Sequence, residues 1–179
     1  MSLYPRIARV GEIDRLVSDH HMVGYKEHMT QEHLILYLDG IITPDSSPRQ
    51  LLGALDTPLI NPNHKPIKLF ITSPGGDLDT TFLFYDVIKR IKSPVITVGD
   101  YCASAAAILL AAGSKRYLSP HAKVMLHLPA GQMGGDARDW DIQHRQMEKY
   151  RNRVVALLME CGAKKNKEEI LEDIDRDYW

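Results

Sequence analysis

Residues 71–131 decide the fold, because they contain three short motifs, I-T-S-P-G-G (71–76), C-A-S-A-A-A (102–107) and V-M-L-H-L-P-A-G (124–131). An apolar run at 67–72 predicts a buried strand that the proline and two glycines of the first motif stop. Gly75 and Gly76 suit a tight turn that aims backbone N–H groups into one space, because glycine tolerates positive φ. The second motif offers a serine among small residues, and the third a histidine at the end of an apolar strand. Aimed N–H groups, a nucleophile and a base are the parts that acyl transfer needs.

Alternating strand and helix patterns surround these motifs. Apolar runs predict strands at 34–38, 67–72, 95–98, 115–118 and 124–128. Periodicity predicts helices at 49–55, 104–112 and 137–161. A further helix is predicted to begin with a cap at Asp79 and to end before Pro94. A last helix is predicted to begin with a capping box of Asn166 and Glu169 and to end at about residue 175. This order favours an α/β fold of stacked right-handed βαβ units. We expect one domain over residues 1–179, with a mixed polar segment at 1–30.

Composition and charge argue against several classes of function. A formal net charge of −1 over 179 residues provides no basic surface for nucleic acid. Cys102 and Cys161 are too few for a disulfide framework, so we expect the cytoplasm or an organellar matrix. The N-terminus shows no signal-peptide pattern, and the most apolar stretch, 103–112, is too short to cross a bilayer. We expect no metal either, because no zinc pattern fits the spacing of His20, His21, His28 and His33.

Each motif taken alone also has an ordinary structural explanation. Ser104 suits a helix N-cap, the Gly75–Gly76 pair suits a simple turn, and His127 suits a structural histidine at a strand end. The ordered combination of all three favours a catalytic interpretation. The order of serine, then histidine, then an acid near the C-terminus differs from that of the chymotrypsin, subtilisin and α/β-hydrolase families.

Residues 67–179 resemble the proteolytic subunit of the Clp protease (ClpP, the S14 serine peptidases). The resemblance lies in the motifs I-T-S-P-G-G, Y-D-V-I-K-R-I-K, A-S-A-A-A, V-M-L-H-L-P and D-I-D-R-D-Y, which occur in the family's order. It implies a ClpP/crotonase-like spiral of βαβ units, with a projecting strand-helix handle at 131–161.

The resemblance also implies roles for individual residues. Ser104 matches the nucleophile, His127 the general base and Asp177 the acid that orients the histidine. Asp173 and Asp175 are the alternatives for that acid, since each lies within about one helical turn of its neighbour. The N–H groups of Gly76 and Ala105 would form the oxyanion hole. An extended substrate would lie beside Gly75, Asp77, Leu78, Pro129 and Ala130.

The sequence departs from the family pattern at a few places. Ala105 and Ala106 follow the serine, where the family usually has Met and often Gly. Asp77 stands where an apolar residue is usual, and we expect it to face solvent. Asp177 lies close to the last residue, Trp179, so we expect it to be poorly held unless a neighbouring subunit orders it.

The resemblance therefore predicts a serine endopeptidase that hydrolyses unfolded polypeptides inside a homo-oligomeric chamber. It implies one or two heptameric rings and an AAA+ unfoldase as partner, with no cofactor, nucleic acid or membrane. Two alternatives stay open at this point. One is a catalytically latent structural ring subunit. The other is an acyl-CoA hydratase or isomerase of the crotonase fold, which would use carboxylates instead of the Ser104–His127 pair.

Overall fold

The structure is a computed structural model that describes residues 33–46, 48–131 and 134–179. The predicted segment at 1–30, with His20, His21 and His28, lies outside these residues. The elements of the described part are β1 (Ile35–Asp39), α1 (Pro48–Leu55), β2 (Ile67–Ser73), α2 (Leu78–Arg90), β3 (Val95–Ala103), α3 (Ala105–Ala112), β4 (Lys115–Met125), α4 (Ala137–Glu160) and α5 (Lys167–Asp173).

The four strands form one parallel sheet in the order β1-β2-β3-β4. Parallel neighbours need a crossover connection, and here α1, α2 and α3 each link one strand to the next. Strands covered on both faces are apolar, and Ile67, Leu69 and Ile71 of β2 are fully buried. The predicted α/β class is confirmed, while the spiral arrangement and the handle stay predictions.

β3 and β4 are longer than the apolar runs predict. β3 continues through Ala103, and the strand predicted at 115–118 and the start of the strand predicted at 124–128 belong to the single strand β4, which ends at Met125. The register of the pair shifts where Leu118 and Lys123 of β4 face Gly99 and Tyr101 of β3. Polar residues between Leu118 and Lys123 interrupt the apolar pattern, so the sequence predicts two strands where the structure has one.

The helix after the glycine turn is capped by Asp77, and the prediction of Asp79 as its cap is wrong. The Asp77 carboxylate accepts a hydrogen bond from the Thr80 N–H at 2.7 Å. Asp79 lies inside the first helical turn and accepts a hydrogen bond from the Tyr150 hydroxyl at 2.8 Å. Either aspartate has a suitable side chain for a cap, and the length of the preceding turn decides between them.

The other predicted helices agree with the structure to within about two residues at each end. The capping box of Asn166 with Glu169 at the start of α5 is confirmed. Asp136 and Asp139 form a second capping box at the start of α4.

α3 lies at the buried centre of the fold. Its residues from Ala105 to Leu110 are all buried, and it packs against β3, α2 and α4. α4 reaches the core through its C-terminal half, where Val154, Val155, Leu157 and Leu158 are buried, while its residues 137–142 are exposed. None of the described helices has both the length and the apolar character needed to cross a membrane.

Asp56 fixes the loop that follows α1. Its carboxylate accepts hydrogen bonds from the N–H groups of Lys92 at 2.9 Å and Ser93 at 2.8 Å, and from the Ser93 hydroxyl at 2.6 Å. The Nδ1 atom of His64 lies 3.2 Å away on the other side. Burial alone raises the pKa of the Asp56 carboxyl, but the hydrogen bonds outweigh burial and lower it from 3.8 to about 2.

We expect Asp56→Asn to lower the free energy of unfolding by about 2 kcal/mol at neutral pH, because a pKa lowered from 3.8 to about 2 stabilises the folded state by that amount. This contribution is present above the unfolded-state pKa and is lost as the pH falls from about 4 towards 2. Urea unfolding at neutral and acidic pH measures it, with the exposed Asp45→Asn as the matched control. An equal deficit at both pH values would contradict the electrostatic origin.

Candidate active site

The turn after β2 depends on Gly75 and Gly76. Their φ angles are 94° and 149°, in the region that favours glycine. A Cβ on Gly75 would lie 2.7 Å from the Ala103 carbonyl oxygen and 2.8 Å from the Ser104 Cβ, and one on Gly76 would clash with the Ile42 carbonyl oxygen. The Ile42 N–H also donates to the Gly75 carbonyl oxygen at 2.8 Å. The turn is therefore held between Ile42 on one side and the residues around Ser104 on the other.

Ser104 occupies a strained backbone position between β3 and α3. Its φ of 56° and ψ of −125° are rare for a residue with a side chain and cost about 1–3 kcal/mol. Its N–H donates to the Met125 carbonyl oxygen at 2.8 Å, which ties this turn to the end of β4. Ser104 precedes α3, but its hydroxyl makes no capping hydrogen bond. Ser104 therefore occupies the N-cap position of α3, but its hydroxyl does not cap the helix.

The Ser104 hydroxyl contacts His127 instead. The His127 Nε2 atom lies 2.7 Å from the Ser104 Oγ atom, a distance suited to direct proton transfer. The side chain of His127 is 28% exposed, so the ring is shielded yet still reached from solvent. The structure thus brings together the predicted nucleophile and the predicted base, which lie 23 residues apart in the sequence.

Asp177 is brought to the other side of the imidazole by backbone pairing. Leu126 and Tyr178 exchange two hydrogen bonds of 2.9 and 2.8 Å, and the Leu128 N–H donates to the Ile174 carbonyl oxygen at 2.8 Å. The residues on both sides of His127 are therefore bonded to the segment that carries Asp177. The Asp177 Oδ1 atom lies 4.0 Å from the His127 Nδ1 atom, beyond hydrogen-bond distance, and its side chain is 63% exposed.

The two alternative acids have other partners. Asp173 forms an ion pair with Lys165, and Asp175 lies 3.9 Å from the Arg176 guanidinium. Of the three aspartates, Asp177 is the one that lies near the imidazole. The expectation that it would be poorly held is wrong for its backbone, because the next residue, Tyr178, pairs with Leu126 of the same chain.

A cavity of about 170 Å³ opens beside the serine and the histidine. It is lined by Gly76, Leu78, Ser104, Ala105, Ile108, Leu126, His127, Pro129, Ala130 and Val154. Gly75 is buried within the glycine turn, and Asp77 is exposed at the helix cap. Asp177 borders a neighbouring open cleft with His127 and Arg176. Most of the predicted site residues thus line one cavity, and Gly75, Asp77 and Asp177 lie around it.

The backbone N–H groups of Gly76 and Ala105 lack backbone or side-chain acceptors among the described residues. Ala105 is the first residue of α3, where N–H groups have no partner within the helix and the helix dipole favours negative charge. Both residues line the cavity that contains the Ser104 hydroxyl. Two unpaired donors near one nucleophile can bind the negative oxygen of a tetrahedral intermediate.

Sequence patterns missed part of this site. Ile108, Leu126 and Val154 are apolar residues typical of a core, and nothing in their local pattern shows that they line a cavity. Ile42 was missed because it follows a short strand in a loop rich in polar residues, although it holds the glycine turn in place. Among the described residues, no group of His, Cys, Asp and Glu is arranged to hold a metal ion.

Cys102 lies two residues before Ser104 but takes no part in the site. Its side chain is buried, and its Sγ atom lies 3.6 Å from the Ile71 carbonyl oxygen. Burial raises the pKa of the Cys102 thiol to about 12, and the nearby Asp100 charge contributes to the increase. Cys161 is half-buried.

Comparison with known proteins identifies the family. The profile of the Clp protease family matches residues 24–179, so the chain belongs to the Clp protease family. The chain is 40% identical over 118 residues to "ATP-dependent Clp protease proteolytic subunit 4, chloroplastic" of Arabidopsis thaliana, an alignment of 64% of this chain and 40% of that protein.

Two further relatives show similar agreement. The chain is 38% identical over 119 residues to "ATP-dependent Clp protease proteolytic subunit 1" of Rhodopirellula baltica, covering 64% of this chain and 52% of that protein. It is 38% identical over 126 residues to the protein of the same name from Chlamydia abortus, an alignment of 68% of this chain and 65% of that protein. The matched part of the chain thus spans less than two thirds of each of these relatives.

We expect Gly75→Ala to impair both the fold and the reactivity of Ser104, because the new Cβ would meet Ala103 and Ser104 at a φ of 94°. Gly40→Ala is the matched control, since Gly40 has a φ of 84° and open space around it. The free energy of unfolding of the control should fall by only about 1–2 kcal/mol, the cost of placing a side chain on a left-handed backbone. Urea unfolding and reaction of Ser104 with a fluorophosphonate measure the two effects, and equal losses in the two variants would contradict the close packing.

We expect iodoacetamide at about pH 8 to alkylate Cys161 in the folded chain and to leave Cys102 unmodified, because a thiol with a raised pKa holds little thiolate. Peptide mapping by mass spectrometry measures the two sites, and unfolded chain should be alkylated at both. Fast modification of Cys102 in the folded chain would show that it is not buried as described.

Proposed function

We propose that the chain is a serine endopeptidase that cleaves polypeptides by an acyl-enzyme mechanism. One observation carries the proposal: the Ser104 Oγ atom lies 2.7 Å from the His127 Nε2 atom, in a cavity that the unpaired N–H groups of Gly76 and Ala105 also line. Membership of the Clp protease family supports it.

In the first step, the Ser104 Oγ attacks the carbonyl carbon of the scissile peptide bond while the His127 Nε2 takes the hydroxyl proton. The carbonyl oxygen becomes an oxyanion that the Gly76 and Ala105 N–H groups bind. The tetrahedral intermediate collapses as the C–N bond breaks, and the imidazolium gives its proton to the leaving amine. Water activated by His127 then attacks the ester, and the released Ser104 recovers its proton.

Asp177 is proposed to orient the imidazole and to stabilise the imidazolium. Such an acid need not take the proton itself, because its negative charge favours the charged ring. At 4.0 Å, its carboxylate needs a small movement to form the hydrogen bond. Catalytic hydrogen bonds are often long in a free enzyme and shorten in the complex with substrate.

The substrate is proposed to be an extended polypeptide. The cavity is lined largely by apolar side chains, among them Leu78, Ile108 and Val154, and its volume of about 170 Å³ suits one apolar side chain. Residues of the edges at 76–78 and 129–130 line the cavity that contains Ser104, and we propose that an extended chain pairs with these edges as an added strand. Gly75 and Asp77 support the first edge, by shaping the turn and by capping α2.

The chamber is a further part of the proposal. The family resemblance suggests one or two heptameric rings, with residues 131–161 as the handle and an AAA+ unfoldase as partner. In support, residues 137–142 of α4 are exposed, among them Trp140 and Ile142 at 57% and 58%, and an oligomer would cover such apolar side chains. The cytoplasm or an organellar matrix is the proposed compartment, since one relative is named chloroplastic and others come from bacteria.

A second candidate is a catalytically latent ring subunit. The distance of 4.0 Å between His127 and Asp177, with the carboxylate 63% exposed, favours it. The acyl-CoA hydratase or isomerase alternative has less support, because the direct contact of Ser104 with His127 serves no purpose in that chemistry.

We expect a fluorophosphonate to form an adduct on Ser104 of the parent chain and none on the Ser104→Ala variant, because only an activated serine attacks this probe. His127→Ala should slow labelling by about 10³-fold or more, since the base is lost. Mass spectrometry locates the adduct. The matched controls are Ser114→Ala and His121→Ala, whose side chains are exposed and lie outside the cavity. A folded parent chain that takes no label would support the latent subunit instead.

A further inference from the structure

Lys165 contacts both ends of the segment that carries Asp177. It lies in the loop between α4 and α5, and its ammonium group forms a hydrogen-bonded ion pair with the Asp173 carboxylate at the end of α5. The same ammonium group lies 5.9 Å from the centre of the Tyr178 ring, within the range of a cation–π interaction. One cation thus reaches the residues that begin and end the stretch from 173 to 178.

The backbone of this stretch is also bonded to the residues on either side of His127. The Leu128 N–H donates to the Ile174 carbonyl oxygen, and Leu126 exchanges two hydrogen bonds with Tyr178. Lys165 therefore adds side-chain contacts at Asp173 and Tyr178 to backbone bonds at Ile174 and Tyr178.

The Asp177 carboxylate has little packing of its own to hold it. Its side chain is 63% exposed, and the His127 ring is 4.0 Å away. Its position is therefore set by the backbone on both sides of it.

We propose that Lys165 is a positioning residue that holds Asp177 beside His127, by fixing Asp173 and Tyr178 at the two ends of the segment. This inference rests on the proposed function, in which Asp177 orients the imidazole. The hydrogen bond to Asp173 raises the pKa of Lys165. The adjacent Lys164 is exposed and has neither hydrogen bond nor ion pair among the described residues, so it offers a matched comparison.

The test measures the rate at which a fluorophosphonate labels Ser104 over a range of probe concentrations. Lys165→Gln should lower the plateau rate about five-fold, the size expected for loss of a partly exposed ion pair and a cation–π contact. The half-saturating probe concentration should not change, because Lys165 does not line the cavity. Lys165→Arg should restore the parent rate, since a guanidinium binds both a carboxylate and an aromatic ring. Lys164→Gln should label like the parent.

A second variant separates positioning from general loss of structure. Asp173→Asn removes the other half of the ion pair and should slow labelling by a smaller factor than Lys165→Gln, because the cation–π contact with Tyr178 remains. The double variant should be little slower than Lys165→Gln alone. Thermal unfolding of each variant checks that the chain remains folded at the assay temperature. If the parent takes label but Lys165→Gln reaches the same plateau rate, or if Lys164→Gln slows equally, the positioning role is overturned. If the folded parent takes no label at all, the proposed function itself fails, and the positioning role fails with it.

Discussion

The rest of the site depends on the close packing of two backbone turns. The glycine turn after β2 lies so close to the turn at Ser104 that a single added carbon on Gly75 would meet Ala103, Ser104 and Ala105. Ile42 holds the glycine turn through two backbone hydrogen bonds, one from its N–H to the Gly75 carbonyl oxygen and one from the Asp77 N–H to its own carbonyl oxygen. This packing brings the N–H groups of both turns to one cavity, and it requires small residues at the contact. The strained backbone of Ser104 is maintained by this surrounding structure.

The second requirement is the short pairing between Leu126 and Tyr178. It joins the residue before His127 to the residue after Asp177. Three backbone hydrogen bonds connect the residues next to His127 with the segment at 174–178. The nucleophile is thus held at the start of the buried helix α3, whereas the acid is held beside the edge strand β4. The difference appears in the two distances at His127, 2.7 Å to Ser104 and 4.0 Å to Asp177.

The sequence predicts the local parts of this structure well. Gly75, Gly76 and Ser104 can be recognised from the sequence because their rare backbone angles and close packing allow few residue types. The small residues of the two short motifs reflect that restriction. The α/β class follows from the alternation of strands and helices. Prediction fails at the cap of α2, where the length of the glycine turn decides between Asp77 and Asp79. It also fails where distant contacts decide, at the continuity of β4 and at the apolar cavity walls formed by Ile108 and Val154. The choice of Asp177 from three nearby aspartates came from family resemblance, while the structure shows partners for the other two.

The central claim is that two backbone turns together form a site for a negative oxygen beside Ser104. A crystal structure of the chain after reaction with a fluorophosphonate tests it most directly. We expect phosphorus bonded to the Ser104 Oγ, with the phosphoryl oxygen about 3 Å from the nitrogen atoms of both Gly76 and Ala105. A phosphoryl oxygen turned towards solvent, with both N–H groups left unpaired, would contradict an oxyanion site formed by the two turns.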